Sequence, residues 1–216
     1  MNTPYYQDAF VRLYHGDCLE IDEWQSADVL VTDPPYGVSY QSTMSKHGPS
    51  KLIANDSDVG ARKSVLDVWG DKPAIVFGTW KVKRPERVKN LLVWDKGAAP
   101  GMGDLSMPWG HSHEEIYIFG RGFVGKRQSN VLHFDTLPPS ANYRPEHPTP
   151  KPIGLMEDLI EKCPSAWVIA DPFSGSGATL VAARNLARFA VGVEIDEQYC
   201  EMIAKRLSQD VFHFDF

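Results

Sequence analysis

Seven short apolar runs punctuate the chain, beginning at Val11, Asp28, Ala74, Leu91, Glu115, Ala166 and Phe189, and each closes on a glycine, an acid or a proline pair. Their β-branched and aromatic content predicts strands. Between them, helical patterns fall at about 58–69, 153–162, 177–187 and 196–207; the last carries Tyr199, Met202, Ile203 and Leu207 at helical spacing. Strands alternating with helices predict an α/β fold, a mostly parallel sheet flanked by helices on both faces. In such sheets ligands bind beyond the carboxyl ends of the strands. Asp17, Asp33, Asp171 and Glu194 each stand where a strand ends, so four carboxylates are expected along one crevice.

Three stretches break the pattern. Residues 38–60 and 97–113 are rich in glycine and small polar residues and read as long loops, the first mobile. Residues 121–150 are irregular, with Pro138, Pro139, Pro145, Pro148 and Pro150. A length of 216 residues with 43% hydrophobic content suits one domain, 1–216. No apolar run reaches the ~18–20 residues of a membrane span, and the N-terminal sequence lacks signal-peptide features. Cys18, Cys163 and Cys200 are odd in number and widely spaced, which fits neither a disulfide framework nor a metal site. The expectation is a reduced, cytoplasmic protein without metal. A net charge of −6 argues against strong non-specific nucleic-acid binding, although a local basic groove can sit on an acidic protein.

Two turns carry candidate chemistry. Asp171-Pro-Phe173-Ser174-Gly175-Ser-Gly177-Ala-Thr179 follows a strand and opens a helix. Gly175 and Gly177 allow close backbone approach to a ligand, and the helix N-terminus favours an anionic group. Glu194, at the end of the next strand, is placed to bind both ribose hydroxyls of a nucleoside. Leu180 stands where a nicotinamide fingerprint needs its third glycine, and no phosphate-loop lysine follows. S-adenosylmethionine is the nucleoside cofactor that remains favoured.

The second turn is Asp33-Pro34-Pro35-Tyr36-Gly37. Two prolines end the strand and preset the backbone. An aromatic amine is a poor nucleophile because its lone pair is delocalised into the ring. The Asp33 carboxylate and the Pro34 carbonyl can accept its two N–H groups and free that lone pair, with little reorganisation. Tyr36 can stack on a base drawn out of a duplex.

These residues resemble the permuted (β-group) amino-methyltransferases of DNA, which act on adenine N6 or cytosine N4. The segments that carry the likeness run in order from Gly16-Asp17-Cys18-Leu19 through the Asp33 turn, His113–Gly120 and His147–Pro152 to the Asp171 turn with its Gly192–Asp196 companion. The resemblance implies a Rossmann-like S-adenosylmethionine-dependent fold with circularly permuted motif order. It implies Asp17 and the Cys18 backbone against the cofactor adenine, Ile195 packed on that ring, and Glu194 on the ribose. Asp33, Asp171, Phe173, Ser174, Gly175, Gly177 and Thr179 are implied around the methionine part, with His147 and Lys151 reaching its carboxylate. The catalytic set is Asp33, Pro34, Pro35 and Tyr36. Transfer to adenine N6 by base flipping is the expected activity. Cytosine N4, an RNA or protein amide substrate, and an inactive DNA- or partner-binding subunit are the alternatives.

The chain departs from the pattern in two places. Ala178-Thr179 replaces a threonine pair, and the expected DNA-recognition segment, about 121–146, is very short. The 38–60 loop, a homodimer or a partner subunit would then complete DNA recognition. Lys81, Lys83, Arg84, Arg87 and Lys89 form one basic cluster, and Arg121, Lys126 and Arg127 another. Phosphate contact is the functional reading and a solvated charged face the plain one. Trp80 and Trp109 are candidate stacking residues, with loop anchoring as the alternative. His111 and His113 lack further metal ligands.

Overall fold

The computed structural model describes residues 2–36, 60–97, 106–136 and 150–209. Gly37, nearly all of the 38–60 loop, residues 98–105, and 137–149 with His147 lie outside the described residues. The elements are β1 (Tyr6–Gln7), β2 (Val11–His15), a 3-10 turn (Glu23–Ser26), β3 (Val29–Thr32), α1 (Gly60–Trp69), β4 (Ala74–Gly78), β5 (Asn90–Asp95), β6 (His113–Phe119), β7 (Val131–His133), α2 (Ile153–Glu161), β8 (Ile169–Asp171), α3 (Ala178–Asn185), β9 (Ala190–Glu194) and α4 (Glu197–Ser208). All seven expected strands and four expected helices are present. The strands β1 and β7 were not expected; they span two and three residues at the sheet's ends, too short for an alternating pattern to register.

The strands form one sheet in the order β1-β2-β9-β8-β3-β4-β6-β5-β7. From β2 to β4 every neighbour is parallel, while β6 runs antiparallel between β4 and β5. β8, late in the chain, pairs directly with β3, early in the chain. This crossing places the two candidate turns side by side, whichever comes first in sequence. Because side chains alternate across a strand, Val29 and Val31 join one core and Leu30 the other. The first core packs α2, α3 and α4 through Leu155, Leu159, Leu180 and Ile203. The second packs α1 and the 3-10 turn, where Trp24 stacks on Trp69 with ring centroids 5.8 Å apart. Covering both faces explains why β3 and β4 are buried throughout. No helix among the described residues is long and apolar enough to cross a membrane.

β9 passes tightly under the Asp171 turn at Gly192. A Cβ there would lie 2.5 Å from Ser174 Oγ and 2.6 Å from Leu180 Cδ1. Gly192→Ala is therefore expected to destabilise the protein by about 1–3 kcal/mol through overpacking, lowering the thermal midpoint by several degrees. An unchanged midpoint in calorimetry would show that this passage is loose.

Candidate active site

The carboxyl edge of the sheet brings together the acids singled out from sequence. Asp171 pairs with Gly192 and His15 with Glu194 in register, and Asp17 follows His15 by two residues. Asp33 follows β3 at the same edge. Thr32, which sequence reasoning missed, donates to Asp171 Oδ1 at 2.6 Å and links the ends of β3 and β8.

One half of the edge is a cradle around Glu194. Its two carboxylate oxygens accept from the backbone N–H of Gly175 (2.7 Å) and Asp196 (2.9 Å). Burial pushes this carboxyl up despite those hydrogen bonds. An ionised carboxylate has about four acceptor sites, so two backbone donors leave capacity for two hydroxyls. Gly175 and Gly177 adopt positive φ of 50° and 77°, conformations that favour glycine. Ser174 is buried, its hydroxyl donating to the Asp171 carbonyl. Ile195 lies beside the cradle, unusually exposed for an isoleucine at 43%. Asp17 accepts from the Leu19 N–H, and burial raises the Cys18 thiol to about 12, leaving its backbone as the group able to contact a ligand. Thr179 is buried, its hydroxyl 3.4 Å from the Val31 carbonyl and close enough to Asp171 to lower that carboxyl's proton affinity.

The other half is a buried charge cluster around Asp33. Asp33 Oδ1 accepts from the Tyr36 hydroxyl at 2.6 Å, and Oδ2 accepts from the Lys151 ammonium. Lys151 also lies 3.3 Å from Glu114 Oε2, and the Tyr36 hydroxyl is 3.0 Å from the same oxygen. Lys96 pairs with the other Glu114 oxygen. Phe77, Tyr36 and Trp94 surround the Lys151 ammonium, with ring centroids at 5.1, 5.7 and 6.0 Å. Lys151 thus joins the Asp33 turn and lies in the same cluster as Glu114, where the resemblance implied a cofactor carboxylate as its partner. Burial pushes the Asp33 carboxyl up against the pull of Lys151. For Glu114 burial acts in the same direction, but Lys151 and Lys96 outweigh it and hold it below its ordinary value. Burial and the two flanking carboxylates keep Tyr36 protonated, well above the usual phenol range.

Glu114, Lys96 and Arg62 were not singled out from sequence. Glu114 lies in a quoted motif segment, and the signal available was an acid inside an apolar strand. Arg62, buried in the first turn of α1, donates to the Lys83 carbonyl at 2.9 Å and borders a narrow cleft with Pro34 and Phe173. Its Nη1 has no hydrogen-bond partner among the described residues.

The two basic clusters are divided by the fold. Lys81 and Lys83 follow β4 at the carboxyl edge, and Arg84 is engaged by Glu115 at the start of β6. Arg87, paired with Asp71 at 2.7 Å, lines a cleft of about 430 Å³ with Lys89 and Arg121 at the opposite, amino edge. The segment bearing Lys126 and Arg127 also lies there, tied by Val124 N–H to the Lys162 carbonyl beyond α2. A strand of five residues separates these groups from Asp33 by about 16 Å. Arg87, Arg121, Lys126 and Arg127 therefore do not flank the crevice: β4–β6 pairing carries the chain away from it.

A mostly parallel sheet in which only β1 and β6 are reversed, an acid-lined crevice and adjoining Gly-rich and Asp-Pro-Pro-Tyr turns define a methyltransferase-type fold. The N6/N4 methyltransferase family model, described as DNA methylase, matches residues 27–206, and the chain belongs to this family. The Type II methyltransferase M2.DpnII of Streptococcus pneumoniae is 32% identical over 253 residues, covering 97% of this chain and 94% of that protein. The crystal structure of the M1.HpyAVI–SAM complex superposes with a TM-score of 0.66 at 22% identity, covering 92% of this chain and 100% of that one. The PvuII DNA methyltransferase (cytosine-N4-specific) gives 0.71 at 16%, covering 96% and 89%. At these identities the structural likeness is one of fold.

Asp171 generates a pH prediction. Burial raises its carboxyl to about 6, against 3.8 for the free group. An acid whose folded-state pKa is raised binds its proton better when folded, so stability falls as pH rises between these values, by at most about 3 kcal/mol. Asp171→Asn keeps an acceptor for Thr32 and removes the buried charge. It is expected to melt higher than the parent at about pH 7.5, with the difference closing below about pH 4. A constant difference across that range would contradict the assignment.

Proposed function

We propose that this DNA methylase transfers a methyl group from S-adenosylmethionine to the N6 amine of adenine in DNA. The observation that carries the reading is the Asp33 carboxylate, half-buried at the end of β3 and held by Tyr36 and Lys151 at the same sheet edge as the Glu194 cradle. The cradle's chemistry fits the cofactor: two free acceptor sites on Glu194 suit ribose hydroxyls, the exposed Ile195 suits an adenine face, and Asp17 with the Cys18 backbone suits the adenine edge. Phe173, Ser174, Gly175, Gly177 and Asp171 border the methionine part. Thr179 acts from beneath through Asp171. When bound, the cofactor supplies an electrophilic sulfonium methyl.

The chain's residues prepare the nucleophile. Tyr36 and Lys151 occupy two acceptor sites of Asp33 and leave about two for the target amine. Pro34 supplies a second acceptor, and the Pro34-Pro35 pair keeps both in place without reorganisation. As the new N–C bond would form and the methyl's bond to sulfur break, its electron pair staying on sulfur, the developing positive charge on nitrogen lies against Asp33, whose raised proton affinity suits it to receive the proton the amine releases. Tyr36 packs on the extruded base. Adenine is preferred over cytosine because the first position of the turn is Asp, a choice that resembles the adenine enzymes. The whole chain acts as one domain in the cytoplasm. Its short 121–146 segment leaves part of DNA recognition to the 38–60 loop, to Lys81 and Lys83, or to a second subunit.

Transfer of labelled methyl from S-adenosylmethionine to unmethylated genomic DNA, followed by nucleoside mass spectrometry, tests the reading. N6-methyldeoxyadenosine supports it. N4-methyldeoxycytidine overturns the choice of base, and absence of both while cofactor binds overturns the DNA substrate for the isolated chain. Two substitutions separate the halves of the site. Asp33→Ala is expected to lower the transfer rate by about 10²–10⁴ with little change in cofactor affinity. Glu194→Ala is expected to weaken cofactor binding by about tenfold or more, as loss of charge-assisted hydrogen bonds does. Calorimetric titration with S-adenosylhomocysteine and single-turnover assays distinguish them; the reverse pattern contradicts both assignments.

A further inference from the structure

An exposed aromatic pair stands at the same edge of the sheet as Asp33. Trp80 lies two residues beyond the end of β4, and His111 two residues before the start of β6. Their rings meet with centroids 5.3 Å apart. Gly78 pairs with Glu115 in register, so both rings sit at the carboxyl edge, Trp80 after the strand next to β3 and His111 before the strand beyond it. Trp80 is 53% exposed, Trp109 77% and Met107 55%. Trp109 and Met107 precede His111 in the same segment, and large exposed apolar side chains are a marker of interaction.

The loop beneath Trp80 is held unusually firmly for a segment that displays its side chains to solvent. Arg62 donates to the Lys83 carbonyl from below, and Arg84 is locked in a two-point pair with the buried Glu115. Tyr117 fills the space over Gly78 and donates its hydroxyl to Glu115 Oε2 at 2.7 Å, with the Thr79 carbonyl 3.4 Å away. Buried charges are thus used to fix an exposed tryptophan in place, which lowers the entropy lost when it binds something. The neighbouring charges identify the partner. Lys81 and Lys83 project from the same loop on a chain of net charge −6, and Lys83 is paired loosely with the exposed Glu86, at 3.8 Å.

We propose that Trp80, with His111 and Trp109 around it, stacks on bases adjoining the extruded nucleotide, while Lys81 and Lys83 hold the flanking phosphates. The inference rests on the DNA-methylation reading above and locates where the duplex sits. Extrusion of one base leaves the faces of its neighbours and of its former partner unstacked, and an aromatic ring suits any of them because every base has a π-face.

The test is equilibrium binding of the full chain to sheared, unmethylated genomic DNA across a salt series, with S-adenosylhomocysteine present. Trp80→Ala and Trp109→Ala are expected to weaken DNA binding about tenfold without altering the salt dependence, and Trp80→Phe to restore most of the loss. Lys81→Gln and Lys83→Gln are expected each to reduce the slope of log affinity against log salt by about 1. Affinity for S-adenosylhomocysteine should be unchanged in all five variants. Tryptophan variants that bind DNA like the parent overturn the proposal. So does a loss that Phe does not restore, or one accompanied by lost S-adenosylhomocysteine binding, since either marks a structural role. A parent chain that neither binds nor methylates DNA overturns the DNA reading itself, and the aromatic site with it.

Discussion

The active half of this molecule depends on one buried ammonium. Lys151 joins Asp33, after β3, to Glu114, in β6, with β4 lying between those strands. Two buried carboxylates this close would repel each other and shed a charge by taking up a proton. The ammonium, boxed by Phe77, Tyr36 and Trp94, draws down the proton affinity of both: with Lys96 it prevails over burial at Glu114, while at Asp33 burial prevails. Its own desolvation is more than offset by those carboxylates, so it stays charged. Removing one member of such a cluster leaves an uncompensated charge, typically a loss of about 3–5 kcal/mol. The position of the Asp33 turn is therefore tied to packing across four strands rather than to its two prolines alone.

The same sheet edge serves two chemistries by dividing them. Around Glu194 the partners are backbone N–H groups, which cannot move without unfolding the turn, and the acid is left with acceptor sites to spare. Around Asp33 the partners are side chains, one of them a cation. The Thr32–Asp171 hydrogen bond is the seam between the halves. The parallel pairing of β8 with β3 brings the Asp33 and Asp171 turns together, since the sheet joins the ends of neighbouring strands regardless of their order in the chain.

Much of this was legible in the sequence. Strands closed by Asp17, Asp33, Asp171 and Glu194 could be read because a strand buried on both faces is a continuous apolar run, and an acid after it is conspicuous. What stayed hidden depends on pairing between distant strands. Lys151 carries no mark in sequence that its partners are Asp33 and Glu114. The basic clusters looked continuous from Lys81 to Lys89, yet the chain crosses from one edge of the sheet to the other within those residues, so Arg87 faces Asp71 far from the crevice. β7, at three residues, is paired with β5 in a stretch whose prolines and glycines read as irregular. Sequence periodicity reports burial, and burial alone does not say which edge a charge will reach.

The most direct test of the central claim is a single-turnover measurement on Lys151→Met with saturating labelled S-adenosylmethionine and DNA. The variant's fold is checked by circular dichroism and its cofactor affinity by titration. If Lys151 acts by holding Asp33 ionised and aimed, the chemical step slows by about a hundredfold or more, while cofactor affinity stays within about threefold. A variant that transfers methyl at the parental rate once saturated, but binds cofactor far more weakly, would contradict this account and return Lys151 to the cofactor's carboxylate.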